Sequence, residues 1–409
     1  MGKALAAALL ITLLCAPASA AVDRAAVERQ FQAWLLSDVW PAAQAAKVSR
    51  ATFDRAFAGV VLDWTLPDLL PPGAPVVPPK VEWQTEFKTP AAYFGEKGLA
   101  LLARTGGALA TQWKKTLAAV EARTGVPKEI LIAIWGKESG FGSEDLPKQA
   151  IRTLATSAFM GRRADLYRTE LIAALKIVQR GDIGLADMRS SVAGALGGPQ
   201  FMPSVFLTDA VDFDGDGHKN IWSSTPDVLG SIAHYLKSQG WVAGRSWGVE
   251  ARVPASVACS LEGPDQGKPV AQWSKLGVTR VDGSPLPRSG GDAYLLMPAG
   301  TFGPAFIVTD NFYVLKKYNN SDLYALYIGQ LADRLRGGGA FADTWSAAGG
   351  FTRGEVKHMQ DELVAAGYDV GNPDGLIGFK TRIAVGLWQA KQSQTPTCLP
   401  DAKLIRSIH

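Results

Sequence analysis

The sequence predicts a mainly helical α+β protein. Apolar residues recur at helical spacing through most of residues 22–237 and again over 312–336. Residues 240–310 break that rhythm. Gly and Pro return every few positions there, and short β-type runs such as Tyr294–Met297 and Phe306–Val308 stand between them. Gly337-Gly338-Gly339 then interrupts the chain, and a small separate unit begins near Phe351. A length of 409 residues allows two or three domains of roughly 100–200 residues each.

Bulk composition narrows the function classes. Hydrophobic residues make up 47% and charged residues 20%, which describes a folded chain and excludes a largely disordered one. The net charge of +4 is too small for a nucleic-acid footprint, so no nucleic-acid partner is expected. Beyond residue 20 no apolar run approaches the roughly 18–20 residues that span a bilayer, so the mature chain is expected to carry no transmembrane segment. Twelve Trp offer flat faces with a polar N–H, which suits saccharide or aromatic ligands as well as core packing.

In chain order, Lys3, the apolar run Ala4–Leu14 and Ala18-Ser19-Ala20 form the three parts of a secretory signal peptide, cut after Ala20. Leu14 before Cys15 argues against lipidation. Removing residues 1–20 takes one Lys, so the mature charge is 4 − 1 = +3. Export permits Cys259 and Cys398 to pair, but spacing cannot show whether their Cα atoms approach. Residues 22–60 are Ala-rich and helical in spacing. Six prolines between Leu66 and Lys80 predict an extended surface connector. Helices are expected over Gly98–Ala122, Pro127–Ser139, Arg163–Gln179, Pro226–Ser238 and Phe312–Arg336. The resulting division is a leader (1–20), a body (21–336), a linker (337–350) and a C-terminal unit (351–409).

The window Thr124–Gly142 carries the chemistry. Pro127 suits a first helical position. Ile130, Ile134 and Glu138 then share one face, flanked by Leu131 and Trp135. A carboxylate ends the apolar stripe where an apolar residue belongs, and Ser139-Gly140-Phe141-Gly142 stops the helix. Partial desolvation raises a carboxyl pKa, as a general acid near neutral pH requires. A Glu capping a helix end or pairing with a surface cation fits the same spacing, so the pattern alone leaves both open.

Ile134-Trp135-Gly136-Lys137-Glu138-Ser139-Gly140-Phe141-Gly142 resembles the catalytic signature of the membrane-bound lytic murein transglycosylase B family. Further similar stretches follow in order. They are Leu154-Ala155-Thr156, Gly161-Arg162-Arg163, Ala193–Gly197, Pro199–Ser204, Asp212–Gly217 and Tyr318-Asn319. The resemblance spans roughly residues 25–335. It implies a lysozyme-like catalytic domain with a small β-containing insertion. It also implies cleavage between N-acetylmuramic acid (MurNAc) and N-acetylglucosamine (GlcNAc) in peptidoglycan. Glu138 would be the single acid and then the base, closing the muramic C6 hydroxyl on C1 to give a 1,6-anhydro end. Ser191, Gln200, Tyr235, Tyr318, Asn319 and Tyr324 would line the sugar cleft. Two other readings stay open: a hydrolytic muramidase on the same fold, and a non-catalytic wall-binding or scaffold protein.

Asp212, Asp214 and Asp216, with Gly217, match the first half of an EF-hand loop, and His218 offers its backbone carbonyl. Ser223 stands where the loop would end on Glu, so this is not a standard EF-hand. The resemblance points to Asp227 as the closing carboxylate. The chemistry is expected to need no cofactor, and a structural calcium is the expected ion. A solvated acidic turn fits the same residues.

Residues 356–389 hold Met359-Gln360, Pro373-Asp374-Gly375, Thr381-Arg382 and Trp388-Gln389. They resemble a small three-helix peptidoglycan-binding module, with Met359 and Trp388 in place of its usual Leu and Phe. The expected setting is periplasmic and wall-associated. Expected partners are peptidoglycan glycan strands and possible other cell-wall enzymes.

Overall fold

The computed structural model describes residues 22–74, 90–287, 290–346 and 351–408. The leader and the second part of the Pro-rich segment lie outside them. Among the described residues no helix is long and apolar enough to cross a membrane.

The N-terminal Ala-rich stretch forms α1 (Arg24–Trp34), a π turn (Leu35–Val39), α2 (Trp40–Ala45) and α3 (Arg50–Phe57). Asp23 and Ser49 cap α1 and α3 by accepting backbone N–H bonds from Ala26 and Thr52. The described start of the Pro-rich segment is not simply a surface connector. Leu66 is buried, Leu69 bridges Gly161, and Leu70 donates its N–H to Met160. Leu66, Leu69 and Leu70 supply apolar surface that the prolines' backbone leaves free to pack.

The short α4 (Pro90–Tyr93) precedes α5 (Glu96–Gln112) and α6 (Lys114–Thr124). The single helix expected over 98–122 is therefore two, broken at Trp113, where φ −97° and ψ 20° leave helical geometry. Next come α7 (Lys128–Ser139), α8 (Ala150–Met160), α9 (Ala164–Arg180), α10 (Pro203–Asp209) and α11 (Thr225–Ser238). A two-stranded ribbon, β1 (Lys148–Gln149) with β2 (Arg189–Ser190), ties α8 to the turn that follows α9.

The irregular part holds β3 (Gly248–Arg252), β4 (Lys268–Pro269), α12 (Val270–Lys275), β5 (Thr279–Arg280), β6 (Asp292–Leu296) and β7 (Ala305–Val308). Among the described residues these strands form an antiparallel sheet in the order β4-β6-β7-β3-β5. Both expected β runs are strands, and Tyr294 faces Val308 in register. Trp273 fills the core beneath the sheet, its indole N–H satisfied by the Ala293 carbonyl at 2.9 Å. The helical run expected over 312–336 is likewise two helices, α13 (Asp310–Tyr318) and α14 (Asp322–Leu335). The break at Asn319–Ser321 matters below.

The linker composition of 337–350 misleads in its described part. Trp345 stacks on Phe94 at 5.4 Å, and Phe341 meets Phe306 at 4.9 Å, so aromatic packing holds the segment down. The C-terminal unit is α15 (Arg353–Ala365), α16 (Phe379–Lys391) and α17 (Ala402–Ile405) around its own core. Its motif glutamines are internal braces. Gln360 donates to the Leu376 carbonyl and accepts from Gly375 N–H, and Gln389 accepts from Thr397 N–H. Cys259 and Cys398 form a disulfide, with Cα atoms 6.0 Å apart.

Candidate active site

Helix α7 is the spine of the site. Pro127 is its extended N-cap rather than its first helical residue. Ile130 through Gly136 are all buried, so α7 is enclosed on most sides rather than amphipathic. It ends at Gly140 in the left-handed region (φ 54°, ψ 38°), whose N–H closes on the last helical carbonyls. Phe141 follows with φ 64°. Its ring lies over Gly136, where an added Cβ would come within 2.6 Å of it, and edge-on to Trp135 at 5.5 Å.

This sharp turn leaves Glu138 partly exposed at the end of a buried helix. Burial pushes its carboxyl above the ordinary value of 4.5. A hydrogen bond from Tyr324 and the charge of Lys137 oppose that rise, and the neighbouring Glu144 carboxylate adds to it. The Tyr324 hydroxyl donates a hydrogen bond to Glu138 Oε1. Lys137 is held over the rings of Tyr327 and Tyr93 at 4.7 and 5.0 Å.

Tyr324 comes from the first turn of α14, and its backbone N–H is capped by Ser321 Oγ. Tyr318, from the end of α13, lies nearly parallel to Tyr324 (6.4 Å, 17°) and donates to the Pro199 carbonyl at 2.7 Å. Burial, with the Glu138 charge nearby, drives both hydroxyls well above the ordinary tyrosine pKa, so both remain donors. Tyr235 meets Tyr318 edge-on at 5.2 Å and spends its own hydroxyl on the Lys317 carbonyl. Asn319 is exposed directly after Tyr318.

The turn at 191–201 forms another wall. Ser191 Oγ accepts from Ala195 N–H, and Gln200, at φ 54°, donates its side-chain amide to Gly197. Gly197 (φ 58°) packs so tightly that a Cβ would sit 2.4 Å from the Ile221 carbonyl oxygen. Glu138, Tyr324, Tyr318 and Tyr235 thus gather around this turn, while Ser191 and Gln200 shape it from within. Sequence reasoning missed Ser139, which donates to the Gly198 carbonyl at 2.9 Å and accepts from Gly142 N–H at 3.0 Å. It also missed Glu144 and the ring pair around Lys137. The position of Ser139 inside the signature was the available signal for the first; the others depend on tertiary approach.

In the acidic loop, ligand oxygens of Asp212, Asp214 and Asp227 lie within 4.8 Å of one another. Burial raises the Asp227 carboxyl pKa against the pull of backbone N–H groups from Phe213, Asn220 and Asp214. Such a hard-oxygen set fits calcium. The Asp216 carboxylate is not in it, unlike the EF-hand pattern, and the backbone carbonyl expected of His218 lies outside this side-chain set. The Asp216 carboxylate accepts from His218 N–H at 2.8 Å, closing its own turn.

Comparison with known proteins places the chain in a family. The family described as Transglycosylase SLT domain matches residues 30–333, and a putative peptidoglycan binding domain matches residues 352–408. Membrane-bound lytic murein transglycosylase B of Escherichia coli (strain K12) is 33% identical over 218 residues, covering 52% of this chain and 57% of that relative. The chain thus spans a little over half the length of that curated relative. SltB3 of Pseudomonas aeruginosa, solved with NAG-NAM-pentapeptide, matches at 40% identity and TM-score 0.82, covering 93% of this chain and 99% of its own. The same protein, solved with NAG-anhNAM-pentapeptide, matches at 39% identity and TM-score 0.80, covering 92% and 99%. Escherichia coli Slt35, solved in complex with calcium, matches at 28% identity and TM-score 0.51, covering 60% of this chain and 76% of its own. Matched through most of its length and built as a helical body with a small sheet, this chain belongs to the transglycosylase SLT-domain family.

Proposed function

We propose that this protein is a lytic transglycosylase that cleaves the MurNAc–GlcNAc bond of peptidoglycan and leaves 1,6-anhydro-MurNAc ends. The observation that carries the reading is Glu138: a carboxyl with a raised pKa, hydrogen-bonded by Tyr324 at the open end of a buried helix. Protonated Glu138 gives its proton to the glycosidic oxygen as the bond to C1 breaks. The resulting carboxylate takes the proton of the C6 hydroxyl as that oxygen attacks C1. The enzyme returns to its starting state and no water is consumed. Tyr324 donates to Glu138 most strongly when it is charged, which steadies it between the two proton transfers. Tyr318, Asn319 and the Ser191–Gln200 turn bind the sugars, and Tyr235 sets Tyr318.

Glu144 favours a second reading. A second carboxylate near the first is what an inverting hydrolase needs to activate water. Product masses separate the two routes, because an anhydro end is one water lighter than a reducing end.

Asp212, Asp214 and Asp227 would hold a calcium ion that ties the acidic loop to α11 and takes no part in the chemistry. Added calcium is expected to raise the melting temperature of the wild type and not of Asp214→Asn. No shift and no binding heat in the wild type contradicts the site. The chain acts on glycan strands in the periplasm, with its C-terminal module raising its concentration on the wall.

A further inference from the structure

Helix α16 of the C-terminal module turns Arg382 inward. Its side chain is 1% exposed, and the Glu262 side chain it meets is 0% exposed. The guanidinium donates to both Glu262 oxygens, at 2.8 and 2.9 Å, and Nη2 also reaches Asp322 Oδ2 at 3.0 Å. Asp322 takes a second cation, Lys316 Nζ at 2.6 Å. These charges are expensive to bury and are tolerated because each meets an opposite one.

Their location gives the cluster its meaning. Lys316 belongs to the last turn of α13, and Asp322 opens α14. The six-residue step between them contains Tyr318 and Asn319. Two residues past Asp322 comes Tyr324, the donor to Glu138. The Lys316–Asp322–Arg382 chain therefore clamps the segment that delivers three of the site residues, and its outer anchor lies in the module. The disulfide Cys259–Cys398 fixes the same seam, three residues from Glu262. A cleft of about 390 Å³ runs along the seam. Its lysines are already engaged, Lys316 by Asp322 and Lys380 by Asp369, so the seam is better suited to bracing than to holding a ligand.

We propose that Arg382 is a positioning residue: through Asp322 it fixes the start of α14, and thereby holds Tyr324 against Glu138. The module would then be part of the catalytic apparatus as well as an anchor. This inference rests on the reading of Glu138 as the catalytic acid.

The test uses the full-length, oxidised protein and a soluble, uncross-linked glycan strand, on which anchoring confers no benefit. Arg382→Gln leaves the buried Glu262 without its cation and is vulnerable to misfolding, so Asp322→Asn, which keeps the Glu262–Arg382 pair, is the deciding variant, and Lys316→Met, which keeps the Arg382–Asp322 contact, should titrate at Glu138 as wild type. We expect Asp322→Asn to lower kcat about ten-fold, with KM within about two-fold. Asp322→Glu should recover most of the loss. A readout without substrate accompanies this: the Glu138 carboxyl titration followed by 13C NMR. As the start of α14 loosens and Tyr324 leaves Glu138, that titration should move in Asp322→Asn to higher pH, the direction expected for Tyr324→Phe. An unchanged titration overturns the brace. A wild type that releases no anhydro product contradicts the lytic reading instead, and the titration still decides the brace.

Discussion

At the scale of single residues, one carboxyl and one hydroxyl set the pH behaviour. In the proposed route the acid step needs Glu138 protonated, and burial holds its carboxyl above the ordinary 4.5. Activity should therefore persist above that value and be lost as pH rises through the folded pKa, giving an alkaline limb in kcat/KM. The Tyr324 hydrogen bond favours the charged form and lowers the pKa. Tyr324→Phe should therefore move this limb to higher pH and reduce kcat about ten-fold or more. A limb that stays in place or moves down contradicts the assigned role of the hydroxyl. The candidacy of Glu138 was legible in sequence because a charge sat where an apolar residue belonged. Its partner was less so. Tyr324 lies 186 residues away, and no local pattern joins the two.

At the scale of elements, helix positions were legible and helix breaks were not. Periodicity carries across Trp113 and across Asn319–Ser321, because a short kink between two helices need not disturb the apolar spacing. The second break places Tyr318 and Tyr324 on different helices yet nearly parallel, as the proposed site requires. Helix α7 depends on a small residue of its own. With Phe141 seated over Gly136, Gly136→Ala should force the ring outward. The expected cost is about 1–3 kcal/mol of stability, read by denaturant unfolding, together with reduced turnover. Wild-type stability in that variant would show that the ring can yield freely. The acidic loop was half legible. Asp212 and Asp214 converge with Asp227, whereas the Asp216 carboxylate closes its own turn on His218 N–H, and which carboxylates converge is decided by the tertiary approach of α11.

At the scale of the whole molecule, the C-terminal unit reads in sequence as a tethered module, whereas its contacts are those of an integral part. Composition marks 337–350 as linker, yet Phe341 and Trp345 pack on aromatic neighbours. The disulfide between positions 139 residues apart could not be decided from spacing, because the approach of two Cα atoms is a product of the whole fold. Its removal by Cys398→Ser should lower stability by about 2–5 kcal/mol, and an unchanged melting temperature would contradict that. The high Trp count is settled in the same way. Trp241, Trp247 and Trp273 are buried, with indole N–H groups bonded inside the fold, so these are packing residues rather than sugar platforms. The central claim is the single-carboxyl lytic route, and mass spectrometry of digested peptidoglycan tests it most directly. Wild type should release fragments ending in 1,6-anhydro-MurNAc, and Glu138→Gln should release none while keeping its fold. Reducing ends alone from the wild type, or undiminished release from Glu138→Gln, would contradict it.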